Sequence, residues 1–152
     1  MKLFELKSTI EWEWKNVQST SASAEFVVNE NTYVVSFVKY QTRDTSRMLS
    51  PNLLEVLPPT MWSIQFAAGA GFGVKHVTGT GGEMQVFATV MEITKQFIEK
   101  LNPEAVQFSS DAKEPSREPL YRRLLKMFGQ QGWKTTVVDD KEEGAIIYLA
   151  WR

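Results

Sequence analysis

The sequence predicts an α+β fold in which a mixed, mostly antiparallel sheet carries helices on its faces. Strand-like patterns fill the first half of the chain. The hydrophobic period then changes from two to about 3.6 at Glu83. Strand and helix patterns alternate from there to the C-terminus. A length of 152 residues is that of one ordinary domain, so we expect a single domain over residues 1–152.

Alternating and β-branched segments mark the strands of the first half. Glu11–Lys15 alternates strictly between bulky and polar side chains. Ala24–Val28 and Tyr33–Tyr40 flank the polar turn Asn29–Thr32, a pattern that predicts a hairpin. The polar, proline-bearing segment from residue 41 to residue 60 reads as a long connection with one helical turn near its end.

The second half contains a predicted crossover between parallel strands. After an alternating run at residues 62–66, a second alternating run, Phe72–Thr78, precedes the helical pattern Glu83–Leu101. Ala105–Ser109 then reads as a short apolar strand. A strand, a helix and a strand in this order predict a right-handed crossover between the parallel strands Phe72–Thr78 and Ala105–Ser109.

A second helix and a C-terminal hairpin complete the predicted fold. The helix begins near Ser116, a good N-cap residue, and ends at Gly129 or Gly132. Trp133–Val138 and Ala145–Trp151 flank a polar turn and read as paired strands.

Composition narrows the classes of function. The formal net charge is −1, so no overall field favours nucleic acid or an anionic membrane. The absence of cysteine excludes disulfides, thiolate metal sites and thiol nucleophiles. No segment has the length of apolar sequence that a membrane span needs, and the first residues lack a signal-peptide pattern. We therefore expect a cytoplasmic protein without membrane, nucleic-acid or metal partners.

A glycine-rich turn, Gly79–Gly82, lies between the second alternating run and the first long helix. Such a turn can bring backbone N–H groups to the positive end of a helix, where they bind phosphate oxygens. The alternative is a tight turn that packs closely against the sheet. The turn is not a P-loop, because no Lys-Ser/Thr pair follows the glycines. Nor does it fit the dinucleotide pattern, since Met84 occupies the place of the third glycine.

The second half of the chain resembles GNAT N-acetyltransferases. Members carry a Q/R-x-x-G-x-G/A turn before a helix, and residues 76–81 fit this pattern apart from histidine at its first position. The family's later features follow in order here: the strand Ala105–Ser109, the pair Leu120-Tyr121 on a helix, and Gly132-Trp133 before the last strands. The resemblance covers about residues 61–152, the part that corresponds to the family's acyl-coenzyme-A-binding half.

The resemblance implies that acetyl-CoA is the co-substrate and that the glycine turn holds its pyrophosphate. The implied cofactor-binding residues are His76, Val77, Thr78, Gly79, Thr80, Gly81 and Gly82. Tyr121 is the implied catalytic residue, a general acid that protonates the departing thiolate. The alternative for Tyr121 is an aromatic ring at the edge of the core with its hydroxyl in water. His76, the only histidine, has the ordinary pKa of a general base, although its place in the turn suggests phosphate contact or simple exposure.

The implied function is acetyl transfer from acetyl-CoA to an amine of unknown identity on a small molecule or a protein. Two departures from the family favour an alternative, a non-catalytic GNAT-like module that binds proteins, such as a phage protein acting on host proteins. No pair of helices is predicted between the first two strands, where the family builds its acceptor site. The loop before the second helix offers Ser109, Ser110 and Asp111 instead of the family's frequent asparagine.

Two further groups of side chains have alternative interpretations. Trp12 and Trp14 fall on one face of the first strand, where they either cover the core or form a stacking platform for bases. Arg122, Arg123 and Lys126 form a basic face on the second helix. This face is either solvated or in contact with the 3′-phosphate of the coenzyme.

Overall fold

The computed structural model describes residues 10–45, 49–68, 82–111, 118–140, 142 and 144–152. The strands are β1 (Trp12–Val17), β2 (Ser21–Val28), β3 (Asn31–Gln41), β4 (Thr60–Ala68), β5 (Ala105–Asp111), β6 (Lys134–Asp140) and β7 (Ala145–Trp151). The helices are α1 (Pro51–Val56), α2 (Glu83–Leu101) and α3 (Glu118–Gln130), and a 3₁₀ turn covers Thr42–Thr45. The strands form a seven-stranded sheet in the order β1-β2-β3-β4-β5-β7-β6.

Strand directions confirm the predicted mixed sheet. β1 and β2 are antiparallel, as are β5 with β7 and β6 with β7, whereas β4 and β5 are parallel. The neighbours of β5 are β4 and β7, so the strand that pairs with it in parallel is Thr60–Ala68. The strand predicted at the start of the crossover, Phe72–Thr78, lies outside the described residues. Both runs alternate, and periodicity cannot tell which of two successive strand patterns pairs with a later strand.

The described residues group into two compact units, of which the first comprises Met1–Ser36 and Phe66–Asn102. Its β2–β3 hairpin confirms the sequence prediction. Asn29 and Glu30 form the turn with φ angles of 50° and 69°, the conformation that matches the twist of paired strands. Across the hairpin, the rings of Phe26 and Tyr33 stack with centroids 5.3 Å apart. The turn and the ring pair together set the register of these strands.

Helix α2 packs on β2 in the first unit and has the predicted bounds. Its buried residues recur at helical spacing: Val86, Phe87, Thr89, Val90, Ile93, Thr94, Phe97 and Ile98. The helix ends because Asn102 takes the left-handed conformation, with φ at 47°, and Pro103 follows. Among the described residues, no helix is long and apolar enough to cross a bilayer.

The second unit comprises Phe37–Gln65 and Pro103–Arg152. Helix α3 packs on β5, β6 and β7 from one face. The opposite face carries an apolar cluster of Leu49, Leu57, Met61, Ala105, Ile147, Leu149 and Trp151. The connection from β3 to β4 closes over this cluster, because Thr42 donates its hydroxyl to the Pro58 carbonyl and its backbone N–H to the Pro59 carbonyl. The predicted helical turn in this connection is α1, capped by the Ser50 hydroxyl, which accepts from the Leu53 N–H at 3.2 Å.

A Schellman motif ends α3 at Gly132, one of the two predicted positions. The Gly132 N–H donates to the Gly129 carbonyl and the Trp133 N–H donates to the Phe128 carbonyl, each with a nitrogen–oxygen distance of 3.1 Å. Gly132 has a φ of 89°, which favours glycine. The rings of Phe128 and Trp133 meet edge to face at 4.8 Å, the hydrophobic contact that accompanies this motif. The glycine–aromatic pair of the family resemblance therefore has a local structural cause here. The predicted N-cap, Ser116, lies outside the described residues.

Candidate functional site

The parallel ladder between β4 and β5 is short. It pairs Trp62 with Val106 and Ser63 with Gln107 in the described residues, whereas β5 and β7 pair over seven positions. Both β4 and β5 continue beyond these pairs, to Ala68 and Asp111. The ladder thus leaves the carboxyl ends of two parallel strands unbridged. In sheets with parallel strands, ligands bind outside such ends.

Exposure of one sheet face increases towards these strand ends. Met61 and Ala105, at the start of the two strands, are fully buried. Ser63 and Gln107 are half-buried, and Gln65 and Ser109 are exposed. We refer to Ser63, Gln65, Gln107 and Ser109 as the strand-end patch. Its hydroxyl and amide side chains can donate and accept hydrogen bonds at the place where the ladder ends.

The other face of the same strands carries Tyr121, the predicted general acid. Tyr121 is 1% exposed and belongs to the first part of α3. Its ring lies 5.3 Å from the Phe108 ring and 5.6 Å from the Tyr148 ring, and the last two stack at 5.4 Å. The ring is therefore held in a core cluster rather than at the solvated edge that the packing alternative assumed.

The glycine turn lies almost entirely outside the described residues. This applies to the predicted cofactor-binding residues His76, Val77, Thr78, Gly79, Thr80 and Gly81. Gly82 is described and is the N-cap of α2, whose first intrahelical hydrogen bond runs from the Val86 N–H to the Gly82 carbonyl at 3.0 Å. Glu83 follows in the first helical turn and complements the helix dipole, as expected for a carboxylate at this position.

Gly82 also makes a close contact within the first unit. A Cβ atom at this position would lie 2.7 Å from Cγ1 of Val28 and 2.8 Å from Nδ2 of Asn29. Real Cβ atoms do not approach other atoms this closely, so the β2–β3 turn reaches the start of α2 only because residue 82 has no side chain. At Gly82, the packing interpretation of the glycine turn is supported directly.

The basic face of α3 borders a cleft of about 630 Å³ over β6 and β7. The Arg122 guanidinium pairs with Glu118 one turn earlier, with Nε and Oε1 2.6 Å apart. The hydrogen bond and charge of Glu118 raise the pKa of Arg122. Lys126 lies one turn further along the same border of the cleft. The solvated-face interpretation accounts for Arg122, whose charge is compensated on its own helix.

The tryptophans of β1 lie on one sheet face, as predicted. The rings of Trp12 and Trp14 meet edge to face with centroids 5.4 Å apart. Trp12 also donates its indole N–H to the Glu92 carboxylate of α2 over 3.2 Å. These contacts support the covering interpretation, since the Trp12 side chain is hydrogen-bonded to α2 of the same unit.

The site brings together polar residues whose proximity was not predicted from the sequence. Gln65 and Ser109 lie on strands in which polar and apolar residues alternate. A polar residue at every second position also fits an ordinary solvated sheet face. Only the register of β4 with β5 places the two side chains at one end of one ladder. Within the described residues, no group of three His, Cys, Asp or Glu side chains is placed to hold a metal ion.

No family model and no curated protein matches this chain. Several solved structures do match it. The chain is similar to aminoglycoside acetyltransferases. Two of these are structures of AAC(6')-Ib, with paromomycin and acetyl-CoA and with ribostamycin and coenzyme A, each at a TM-score of 0.48 and 10% identity. A third, AAC(6')-Ib with coenzyme A, has a TM-score of 0.45 and 12% identity.

These matches cover 89% of this chain and 66–68% of the matched chains. At such identity no residue role and no acceptor passes from those enzymes to this chain.

The contact at Gly82 gives a testable stability difference. Gly82→Ala should lower the free energy of unfolding by about 1–3 kcal/mol, because the added methyl group overlaps Val28 and Asn29. Gly129→Ala is the matched control. Gly129 is helical, and its Cβ would meet Thr135 at an ordinary 3.9 Å, so this change should stabilise by up to about 1 kcal/mol. Urea unfolding of both variants measures the difference, and a Gly82→Ala protein as stable as the parent would contradict the close approach.

Proposed function

We propose that this chain is an acetyl-CoA-dependent N-acetyltransferase of the GNAT type. The observation that carries the proposal is the early end of the β4–β5 ladder beside the strand-end patch. The order of elements agrees with it, because a glycine turn and a long helix connect the two parallel strands. The glycine turn, Leu120-Tyr121 and Gly132-Trp133 add the family resemblance of the sequence.

The chemistry of acetyl-CoA fits an unbridged pair of strands. Its pantetheine arm is an extended chain that carries amide groups, so it can pair with strand backbone as an added strand does. The β4–β5 ladder does not extend to Ile64 and Gln65 on β4 or to Phe108 and Ser109 on β5. We infer that the arm lies along these residues, with the thioester in the gap between the two strand ends.

The phosphate end of acetyl-CoA requires a different environment. We assign it to residues 76–82, at the start of α2. A helix N-terminus attracts anions through its dipole and its backbone N–H groups, and α2 has 19 residues to sustain that dipole. Gly82 contributes by letting the β2–β3 turn support the helix start.

In the proposed reaction, the neutral amine attacks the thioester carbonyl carbon. The new C–N bond forms while the C–S bond breaks, and the amine loses one proton. Backbone N–H groups of β4 would polarise the carbonyl oxygen. Tyr121 would donate its phenolic proton to the departing thiolate, and the proton lost by the amine restores the phenol through solvent. Phe108 and Tyr148 hold the Tyr121 ring in one orientation, which favours proton transfer at a defined atom.

Binding of acetyl-CoA is the first test. Isothermal titration should detect binding at micromolar to millimolar concentration, and Gly81→Asp should weaken it at least about tenfold because a carboxylate would face the pyrophosphate. Gly144→Asp is the matched control, since it adds the same charge in the β6–β7 turn at a φ of 66°, which strains aspartate less than most other residues. Absence of binding by the parent protein would sink the proposed function. Unchanged binding by Gly81→Asp would refute only the pyrophosphate assignment.

Tyr121→Phe separates catalysis from packing. Phenylalanine keeps the three-ring cluster and removes only the acidic hydroxyl, so kcat should fall about a hundredfold or more while acetyl-CoA affinity stays within about twofold. Thiol release with the best acceptor from a panel of aminoglycosides, polyamines and lysine peptides measures this. Tyr148→Phe, in the same cluster, should keep kcat near that of the parent. Equal kcat values for the two variants would show that Tyr121 is a packing residue.

A further inference from the structure

The two edges of the sheet differ in how open they are to another strand. β1 forms one edge, and its pairing with β2 is interrupted by a bulge between Trp14 and Asn16. Its charges are also engaged, because Lys15 forms ion pairs with Glu13 and Glu25. Bulges and charged side chains are the devices that protect an edge strand from pairing.

β6 forms the opposite edge, has no bulge, and carries its charged residues only at its two ends. It pairs with β7 over seven consecutive positions without a register shift. Its centre, Thr135–Val138, is an uncharged run of β-branched residues that favour strand pairing. Val137, in the middle of this run, is 50% exposed. The outer backbone groups of this edge are therefore a regular template for a further strand.

The charges of β6 specify which strand fits. Lys134 is the first residue of β6, and Asp139 and Asp140 are the last two. In an antiparallel pair related by a two-fold axis through Val137, each residue faces the residue of the other copy that lies equally far from Val137 in the opposite direction. Lys134 then faces Asp140 of a second copy on both sides of the axis, and Val137 faces Val137.

This register also satisfies the sheet faces. Lys134 and Asp140 lie on the same face of β6, as residues an even number of positions apart do. A two-fold axis perpendicular to a sheet brings equal faces together, so each facing pair has its side chains on the same side. We propose that β6 pairs antiparallel with β6 of a second copy of this chain, centred on Val137, with Lys134 and Asp140 as reciprocal ion pairs.

Such a dimer explains the exposed floor of the cleft beside α3. The cleft residues Val137 and Asp139 lie on the same sheet face as α3, at the edge that the helix does not cover. Pairing extends this floor with the second copy's β6, so the two Val137 side chains gain a cross-strand neighbour. The proposal does not depend on the proposed catalytic function, because no residue of β6 was assigned to that site.

Sedimentation velocity of the full chain tests the dimer. The parent protein should associate with rising concentration towards twice the monomer mass of 17.4 kDa. Lys134→Asp and Asp140→Lys each turn two attractive pairs into repulsive ones, so each should raise the dimer dissociation constant roughly ten- to a hundredfold. Lys95→Asp and Glu99→Lys make the same charge changes on exposed positions of α2 and should leave the constant unchanged.

Mixing the two β6 variants distinguishes the register from a loss of folding. In an equimolar mixture, each reversed charge meets its complement on the other variant, so a heterodimer should form where neither variant dimerises alone. Native mass spectrometry with one variant labelled with nitrogen-15 identifies the heterodimer by its mass. A parent protein that stays monomeric up to millimolar concentration would overturn the proposal. So would reversed variants that dimerise like the parent, or a mixture without heterodimer.

Discussion

The parallel pairing of β4 and β5 is the constraint on which the rest of the second half depends. Parallel strands need a crossover, and the connection that contains α2 supplies it. β5 is held over seven positions by β7 but over only two by β4, at Trp62 and Ser63. The strands are thus joined where they begin and unbridged where they end. This asymmetry places the exposed side chains of Gln65 and Ser109 beside strand backbone with which an extended ligand can pair.

Packing fixes local structure within each unit. In the second unit, Tyr121, Phe108 and Tyr148 form a ring cluster between α3 and the strands, and the Schellman motif at Gly132 stops α3 so that β6 can begin. In the first unit, Gly82 allows the β2–β3 turn to support the start of α2. Gly132-Trp133, a feature of the GNAT resemblance, and Gly82, an implied cofactor-binding residue, therefore also have structural causes. The case for acetyl transfer consequently depends more on the β4–β5 topology than on those residues.

Local patterns predicted the local structure well. The period change predicted α2 from Glu83 to Leu101, and the polar turn at Asn29 predicted the β2–β3 hairpin, because both depend on neighbours in sequence. Pairing between distant strands was beyond such patterns, so the pairing of β4 with β5 was not predicted. The proximity of Gln65 to Ser109 was not predicted for the same reason, since it is a property of register.

Hydrogen exchange at single backbone amides, followed by NMR with and without acetyl-CoA, tests the central claim most directly. If the pantetheine arm pairs along the unbridged strand ends, exchange should slow at one amide of the Ile64-Gln65 pair and one of the Phe108-Ser109 pair when acetyl-CoA binds, because successive strand amides point to opposite sides. Val137, on the edge strand, serves as the internal reference and should not change. Acetyl-CoA that binds without slowing exchange at the β4 and β5 ends, or that protects only other segments, would contradict the account.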